Sequence, residues 1–253
     1  MFNQDLANTF ITFSVSHLIP VVIIFFILFL IVYFKESIRQ FKYLKALVIM
    51  MASITILQEV SLNIYRIAMN EWSIATSLPL QLCGLGVLTS SYLIVSKNQK
   101  VFNNVFFIMM LGALLAIITP GIEDRLGFPH FRYFQFFISH GMIVINFALM
   151  LFVYDFQKDF TYKYVLNNLV VLLGLAAIMT VINLVVGGNY MYTLAKPGEG
   201  TAFDLFGEWP WYIINIFIIG IPIFFHLFYA PFFIRDLKRK KIQKLALDTQ
   251  EIL

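Results

Sequence analysis

The sequence predicts an all-α fold: a polytopic membrane protein whose chain forms a bundle of seven transmembrane helices. Of its 253 residues, 60% are hydrophobic and only 13% are charged, whereas soluble domains carry about 25% charged residues. The mean hydropathy of the chain is +0.83. The basic residues gather between the apolar runs and in a tail, which is the pattern of membrane topology and argues against a nucleic-acid partner.

Seven apolar runs approach or exceed the ~20 residues that a helix needs to cross the hydrocarbon core of a bilayer. The predicted spans are Ser16–Phe34, Tyr43–Ile67, Leu78–Val95, Val101–Ile118, Phe131–Tyr154, Tyr164–Val186 and Trp211–Ile234. The fourth ends where Thr119-Pro120-Gly121 interrupts the helix. These spans define a transmembrane domain over residues 1–234, followed by a basic cytoplasmic tail over residues 235–253.

The distribution of positive charge predicts the orientation. With the N-terminus outside, 14 of the 18 Lys and Arg residues fall on the cytoplasmic side, and the other four, Arg66, Arg125, Arg132 and Lys196, fall outside, as the positive-inside rule requires. We therefore expect a multi-pass protein of the cell membrane with a cytoplasmic C-terminus. Its "RDLKRKK" tail, residues 235–241, is expected to contact anionic lipids of the inner leaflet, where each basic residue contributes about 1 kcal/mol.

In this orientation, most polar residues within the spans lie in the outer half of the bundle. An ionisable residue at the centre of a membrane helix costs about 2.5–3.5 kcal/mol on insertion scales, so it normally faces the bundle interior or a wet cavity. Glu59, Asn63 and Arg66 are spaced to share one helix face. We therefore predict an outward-facing polar cavity among spans one, two, three, five, six and seven, with the loop between spans six and seven as its rim.

Eleven residues are predicted to bind a ligand in this cavity. They are His17, Asn63, Arg66, Gln81, Gln135, Ser139, Asn183, Asn189, Tyr190, Trp211 and Asn215. Asn183, Asn189 and Tyr190 are the expected hydrogen-bond donors to an oxyanion or a lipid headgroup. Trp211 has an alternative role as an interfacial anchor, because aromatic residues are typical of the membrane–water boundary.

Three residues are predicted to be catalytic. His140 is expected to act as a general base or to orient a nucleophile, and Glu59 to hold a histidine in the required tautomer. Cys83 is the candidate nucleophile. Each has a structural alternative: a bond between helices for His140, an ion pair for Glu59, and simple packing for Cys83.

Metal and disulfide chemistry receive little support from the sequence. Cys83 is the only cysteine in the chain, which excludes an internal disulfide and a multi-cysteine zinc site. A site built from His17, Glu59 and His140 would need three separate helices, with no local ligand spacing to favour it. We predict neither a metal nor a cofactor.

Four motifs carry a resemblance to a known family. They are "LPLQLC" (78–83), "FQFFISHG" (134–141), "GGNYMYTLAKP" (187–197) and "GEWPWY" (207–212). Together they resemble the bacterial YwaF-type integral membrane proteins. Eukaryotic relatives of that family include an acyltransferase that places acyl chains on ether-type lysophospholipids through a catalytic cysteine. In those relatives the cysteine directly follows the proline that opens the third helix. Here Leu80 follows Pro79, and Cys83 comes three residues after Leu80.

The resemblance implies a seven-helix fold and lipid acyl chemistry. The leading expectation is therefore an acyltransferase-like protein that acts on a phospholipid or lysophospholipid in the outer leaflet, with membrane lipids as its partners. The alternative is a non-catalytic receptor or transporter that binds a small polar or amphiphilic ligand from outside. The sequence indicates no protein partner, although a helper subunit of another membrane complex is a third reading.

Overall fold

The computed structural model describes residues 9–120, 127–197 and 202–250. Over these ranges the chain is helical, with turns and short connections and no β-strand. The helices are α1 (Val15–Tyr33), α2 (Lys35–Arg39), α3 (Leu44–Ala68), α4 (Leu82–Ser96), α5 (Gln99–Ile118), α6 (Phe131–Ala148), α7 (Tyr162–Val186), α8 (Trp211–Asn215) and α9 (Ile221–Gln250). A π-helical segment, Leu149–Val153, extends α6, and a second, Ile216–Gly220, joins α8 to α9.

Six spans in the described part of the chain are long and apolar enough to cross a membrane: α1, α3, α5, the extended α6, α7 and the unit formed by α8 and α9. The third predicted span is also helical, but α4 has only 15 residues and would cover about 22 Å at 1.5 Å per residue. The fold is thus a multi-pass helical bundle with six candidate spans. The seventh crossing and the orientation of the termini stay predictions.

Helix α4 begins four residues after the predicted start of the third span. Leu78 to Gln81 lie outside the helix, and Gln81 has extended backbone angles (φ −64°, ψ 152°) as the residue before α4. Pro79 explains part of this late start, because a proline disfavours helical geometry in the residue that precedes it. The non-helical segment forms part of the wall of the functional site described below.

Burial separates the central helix from the peripheral ones. In the apolar stretch of α6, 78% of the residues are buried, compared with 17% in α1 and 22% in α7. Helix α6 contacts α1, α3, α4 and α5. Its Phe147 belongs to a buried aromatic group with Phe102, Phe106 and Phe107 of α5. The core is therefore built around α5 and α6, while α1 and α7 expose apolar faces suited to lipid.

At one end of the bundle, arginines hold the connection between α6 and α7. Arg39 Nε donates to the Val153 carbonyl at 2.7 Å, and the Arg39 guanidinium pairs with Asp155 at 2.9 Å. Arg235 of α9 donates to the carbonyls of Gln157 and Phe160. Helix ends leave backbone carbonyls without partners inside the helix, and these guanidinium groups donate hydrogen bonds to such carbonyls.

Helix α9 runs without interruption through the boundary predicted at residue 235. Lys238, Arg239 and Lys241 thus continue the helix of the final span instead of forming a separate unit. Residues 251–253 of the predicted tail and Arg125, one of the charges counted on the outer side, lie outside the described residues.

Candidate functional site

A cavity of about 640 Å³ lies at the opposite end of the bundle, within the range typical of small-molecule sites. Its walls come from the C-terminal half of α3, the connection to α4, the start of α4, the N-terminal half of α6, and the loop after α7. The lining residues are Glu59, Leu62, Tyr65, Arg66, Glu71, Ala75, Thr76, Leu78, Pro79, Gln81, Cys83, Gly84, Arg132, Gln135, Phe136, Ser139, His140, Asn189 and Tyr192. We call this part of the molecule the cavity end.

Helix α3 contributes a carboxylate and a guanidinium to the cavity. Asn63 Nδ2 donates to Glu59 Oε1 at 3.2 Å, which shows that these two residues share a face of α3. Asn63 Oδ1 accepts from Trp72 Nε1 at 3.0 Å, and Arg66 donates to the Thr76 carbonyl at 3.2 Å. Asn63 therefore supports Glu59 and the following loop and does not itself line the cavity.

Helix α6 brings a basic and polar face to the opposite wall. It begins at Phe131, and the His130 ring caps it by accepting from the Arg132 N–H through Nδ1 at 3.2 Å. Arg132 donates to Gln135 Oε1. Burial and the Arg132 guanidinium lower the pKa of His130 below its usual value. Both effects favour the neutral ring that the cap requires.

His140 is presented to the cavity in a defined tautomer. Its Nδ1 lies 2.8 Å from the Phe136 carbonyl, which only accepts, so Nδ1 carries the proton. Nε2 is therefore the ring nitrogen with a free lone pair. Glu59 was expected to orient this ring, but the Phe136 carbonyl of α6 holds Nδ1, and Glu59 Oε1 accepts from Asn63.

The start of α4 places the thiol in the cavity wall. Cys83 is the second residue of the helix, and Gly84 follows it. A Cβ atom at Gly84 would come within 2.8 Å of the Pro79 backbone, so glycine allows the segment before α4 to lie against the first turn. Gln81 turns away from its own helix: its Oε1 accepts from the Met191 N–H at 2.8 Å.

The loop after α7 is held by its own polar side chains. Asn183 accepts from the Tyr190 N–H at 2.7 Å and donates to the Tyr190 carbonyl and to Thr193. The Tyr190 hydroxyl donates to the Ile74 carbonyl at 2.7 Å and accepts from the Leu78 N–H at 3.0 Å. Asn183 and Tyr190 are thus committed to loop structure and do not line the cavity.

Asn189 does line the cavity, but its amide is also engaged in the loop. Its Oδ1 accepts from the N–H groups of Leu194 and Ala195, and its Nδ2 donates to the Ala195 carbonyl at 2.8 Å. Asn183, Asn189 and Tyr190 were predicted as donors to a ligand, but in this structure their polar atoms bond to backbone groups of the loop that closes one side of the cavity and of the connection before α4.

Three other predicted ligand-binding residues lie away from the cavity. His17 is 1% exposed; its Nδ1 accepts from the Phe13 N–H, and its Nε2 donates to the Ile117 carbonyl at 2.9 Å. Trp211 is 63% exposed on the outside of the bundle, and Asn215 Nδ2 donates to the Phe206 carbonyl. Helices α1, α7 and α8 contribute no lining side chain, which corrects the expected composition of the walls.

The cavity does gather eight of the predicted site residues. They are Glu59, Arg66, Gln81, Cys83, Gln135, Ser139, His140 and Asn189. Among the side chains that the structure describes, no group of three His, Cys, Asp or Glu residues is arranged to hold a metal ion. The lining side chains combine carboxylate, amide, hydroxyl, imidazole and guanidinium groups with apolar residues, which suits a hydrogen-bonding ligand with an apolar part.

Several lining residues were not predicted from the sequence, chiefly Tyr65, Glu71, Arg132, Phe136 and Tyr192. Arg132 was counted only as a charge of the outer side, and Glu71 lies in a short connection. Arg132 lies in the first turn of α6 and Glu71 shortly after α3, at the same end as the predicted polar cluster, and this shared depth was the available signal.

These features define a class: a multi-pass helical membrane protein with a polar cavity at one end of its bundle. The chain belongs to the TMEM164 family, whose family model matches residues 12–228. The match covers all the cavity-lining residues. No curated protein and no solved structure matches the chain.

Proposed function

We propose that this protein is a membrane-embedded, lipid-modifying enzyme that transfers an acyl chain onto a lysophospholipid. One observation carries the proposal: Cys83, the only cysteine, and His140 line the same cavity. The likeness of four sequence motifs to the YwaF-type proteins and their acyltransferase relatives supports the same chemistry. Both the substrate class and the reaction go beyond what family membership establishes.

The proposed reaction has two balanced steps. His140 Nε2 takes the proton of the Cys83 thiol, and the sulfur attacks the carbonyl carbon of a phospholipid ester. The ester C–O bond breaks, and the departing lysophospholipid takes the proton back from the imidazolium. In the second step the hydroxyl of an acceptor lysophospholipid loses its proton to His140 and attacks the thioester carbonyl. The C–S bond then breaks, and the Cys83 thiolate takes that proton from the imidazolium.

The remaining lining residues suit an amphiphilic substrate. Arg66 and Arg132 are the positively charged groups of the cavity, and guanidinium groups bind phosphate well. Leu62, Leu78 and Phe136 supply apolar surface for the start of an acyl chain. A phosphate group and a hydrocarbon chain on one molecule would match both kinds of surface.

We further propose that α4 and the segment before it make the seventh crossing, with the cavity in the outer leaflet of the cell membrane. The distribution of Lys and Arg supports this orientation. In a Cys83→Ala background, a cysteine at exposed position Pro197 should react with a membrane-impermeant thiol reagent on intact cells. A cysteine at exposed position Ile242 should react only after permeabilisation; the reverse pattern would invert the topology.

The test of the acyl transfer uses the single thiol. The purified chain in lipid nanodiscs is incubated with an isotope-labelled phospholipid and a lysophospholipid, then measured by intact-protein mass spectrometry. We expect an adduct of one acyl chain that hydroxylamine removes, and its absence in Cys83→Ala together with loss of the transferred product.

Two results would contradict the proposal. Undiminished transfer by Cys83→Ala would remove the thiol from the mechanism. Saturable lysophospholipid binding with no product in any condition would instead support the non-catalytic receptor, since the same cavity would then bind a lipid without reacting with it.

A further inference from the structure

The first turn of α4 opens onto the cavity with unused hydrogen-bond donors. Leu85 is the first residue whose N–H finds a carbonyl of the same helix, that of Gln81 at 3.0 Å. The N–H groups of Cys83 and Gly84 make no hydrogen bond with any residue that the structure describes. Such first-turn groups normally receive a capping side chain, and the helix start carries about half a positive charge.

Gln81, the residue before α4, does not cap this helix start. Its backbone has the extended geometry of a capping residue, but its side chain makes no capping bond. The side-chain amide instead binds the loop after α7, at the Met191 N–H and, at 3.5 Å, the Asn189 carbonyl. The side chain of the residue before α4 is thus bonded to the loop after α7 and not to the N–H groups of the helix.

On a second wall of the cavity, formed by α6, two polar side chains also lack hydrogen-bond partners. Ser139 of α6 is only 4% exposed, and its hydroxyl makes no hydrogen bond to the described part of the chain. His140 is 7% exposed and uses Nδ1 alone, leaving Nε2 free. Polar groups of largely buried residues are nearly always hydrogen-bonded, so the unpaired Ser139 hydroxyl in the cavity wall marks a position where a polar ligand atom can bind.

We propose that the open first turn of α4 and the Ser139 hydroxyl together bind the carbonyl or carboxylate oxygen of an acyl chain. Backbone N–H groups at a helix start, aided by a hydroxyl, stabilise negative charge on oxygen. Gln81 acts as a positioning residue that keeps the site open by binding the loop. The identification of the ligand as an acyl group rests on the proposed function; the oxygen-binding geometry does not.

The test compares two substitutions at one position. Gln81→Asp introduces a short carboxylate that caps the helix by accepting hydrogen bonds from its first-turn N–H groups. Gln81→Ala removes the loop contact but leaves these N–H groups without an acceptor. Equilibrium binding of oleate to the full-length protein in nanodiscs is measured, with empty nanodiscs subtracted. We expect Gln81→Asp to weaken oleate binding about tenfold relative to Gln81→Ala, from the loss of donors and the added negative charge.

Matched controls show whether the effect depends on the carboxylate of oleate. Oleyl alcohol, which has the same chain without the negative charge, should bind the two Gln81 variants about equally. Ser139→Ala should weaken oleate binding about fivefold through the loss of one hydrogen bond to a charged group. Thermal unfolding of Gln81→Asp checks folding, because a capping aspartate should stabilise α4.

The outcomes separate this inference from the proposed function. Equal oleate binding by Gln81→Asp and Gln81→Ala would overturn the inference, whether or not acyl transfer is found. Selective loss of oleate binding in Gln81→Asp, in a protein that transfers no acyl chain, would support the oxygen site and remove only the enzymatic proposal.

Discussion

The two ends of the bundle use polar side chains in opposite ways. We call the end with the Arg39 and Arg235 contacts the tail end. There, Asn168 of α7 is fully buried; its Oδ1 accepts from the N–H groups of Phe107 and Ile108, and its Nδ2 donates to the carbonyls of Asn103 and Tyr164. At the cavity end, Ser139 and His140 are also largely buried, but the Ser139 hydroxyl and the His140 Nε2 atom line a cavity and lack partners among the described residues.

This difference separates polar groups that the fold itself satisfies from polar groups that are open to a ligand. A polar group in hydrocarbon must be satisfied, and Asn168 is satisfied by neighbouring helices. The polar groups of the cavity can be satisfied only by something that enters it. His226 near the tail end follows the structural pattern: Nδ1 donates to the Pro222 carbonyl, and Nε2 accepts from the Tyr162 hydroxyl at 2.7 Å.

The largest expected effect belongs to the cavity end. His140→Ala should lower acyl transfer by about 10²–10⁴-fold, the usual contribution of a general base, while leaving the unfolding transition nearly unchanged. Initial rates in nanodiscs measure this effect. The matched control is His226→Ala, which removes a histidine whose two ring nitrogens are both bonded within the protein, and it should keep nearly full activity. Equal losses of acyl transfer in both variants would contradict the proposed difference between the two ends.

The second effect concerns stability at the tail end. Asn168→Leu removes the partner of two backbone N–H groups and two carbonyls, and should lower the free energy of unfolding by about 2–4 kcal/mol without changing the activity of folded molecules. Unfolding in mixed detergent micelles measures this change. Asn167→Leu, which loses one bond to Asn104, should cost only about 0.6 kcal/mol. A similar cost for both would show that the bonds of Asn168 matter no more than an ordinary contact.

The third prediction compares two helical glycines. Gly84→Ala would place a Cβ atom 2.8 Å from the backbone of Pro79, so the first turn of α4 should shift, with a loss of about 1–3 kcal/mol in unfolding free energy. Gly174→Ala in α7 meets no atom within 4 Å and should stabilise the protein by about 0.5–1 kcal/mol. Thermal unfolding of both variants measures the contrast, and a neutral Gly84→Ala would mean that the turn before α4 adjusts freely.

The smallest effect is a pH dependence at the start of α6. Because the pKa of His130 is lowered in the folded protein, the folded state favours the neutral ring, and its stabilising cap is complete above the unfolded pKa of about 6.5. As the pH falls below that value the unfolded chain binds the proton more readily, so up to about 1 kcal/mol of stability is lost.

The measurement for His130 is a difference between two pH profiles. The unfolding free energy of the wild type should decrease, relative to that of His130→Asn, between about pH 7 and pH 5. Asparagine retains a capping oxygen but does not titrate. Parallel profiles for the two proteins would show that the Arg132 N–H does not depend on the neutral ring.

Much of the fold follows from local pattern. The apolar runs predicted the six long spans closely, since length and hydropathy are properties of each segment alone. The spacing of Glu59 and Asn63 correctly placed them on one face, because the helical period is fixed by backbone geometry. The same reasoning grouped Ser139 and His140 at the depth where the cavity lies.

The partners of the polar groups did not follow from the sequence. Three predicted site residues have the same predicted depth and residue chemistry as the cavity residues, yet each bonds to a backbone group of the protein: His17, Asn183 and Tyr190. Which of two similar residues faces a cavity depends on how helices pack against one another, and no local period records that packing.

The sequence by itself determined that this chain is a helical membrane protein and that its polar residues concentrate toward one end, because both follow from hydrophobicity along the chain. The tertiary structure alone decided which of those residues share a cavity, through the approach of Gly84 to Pro79 and the diversion of Gln81 to the loop after α7. The physical reason is that a polar group becomes available to a ligand only when the rest of the protein has left it without a partner.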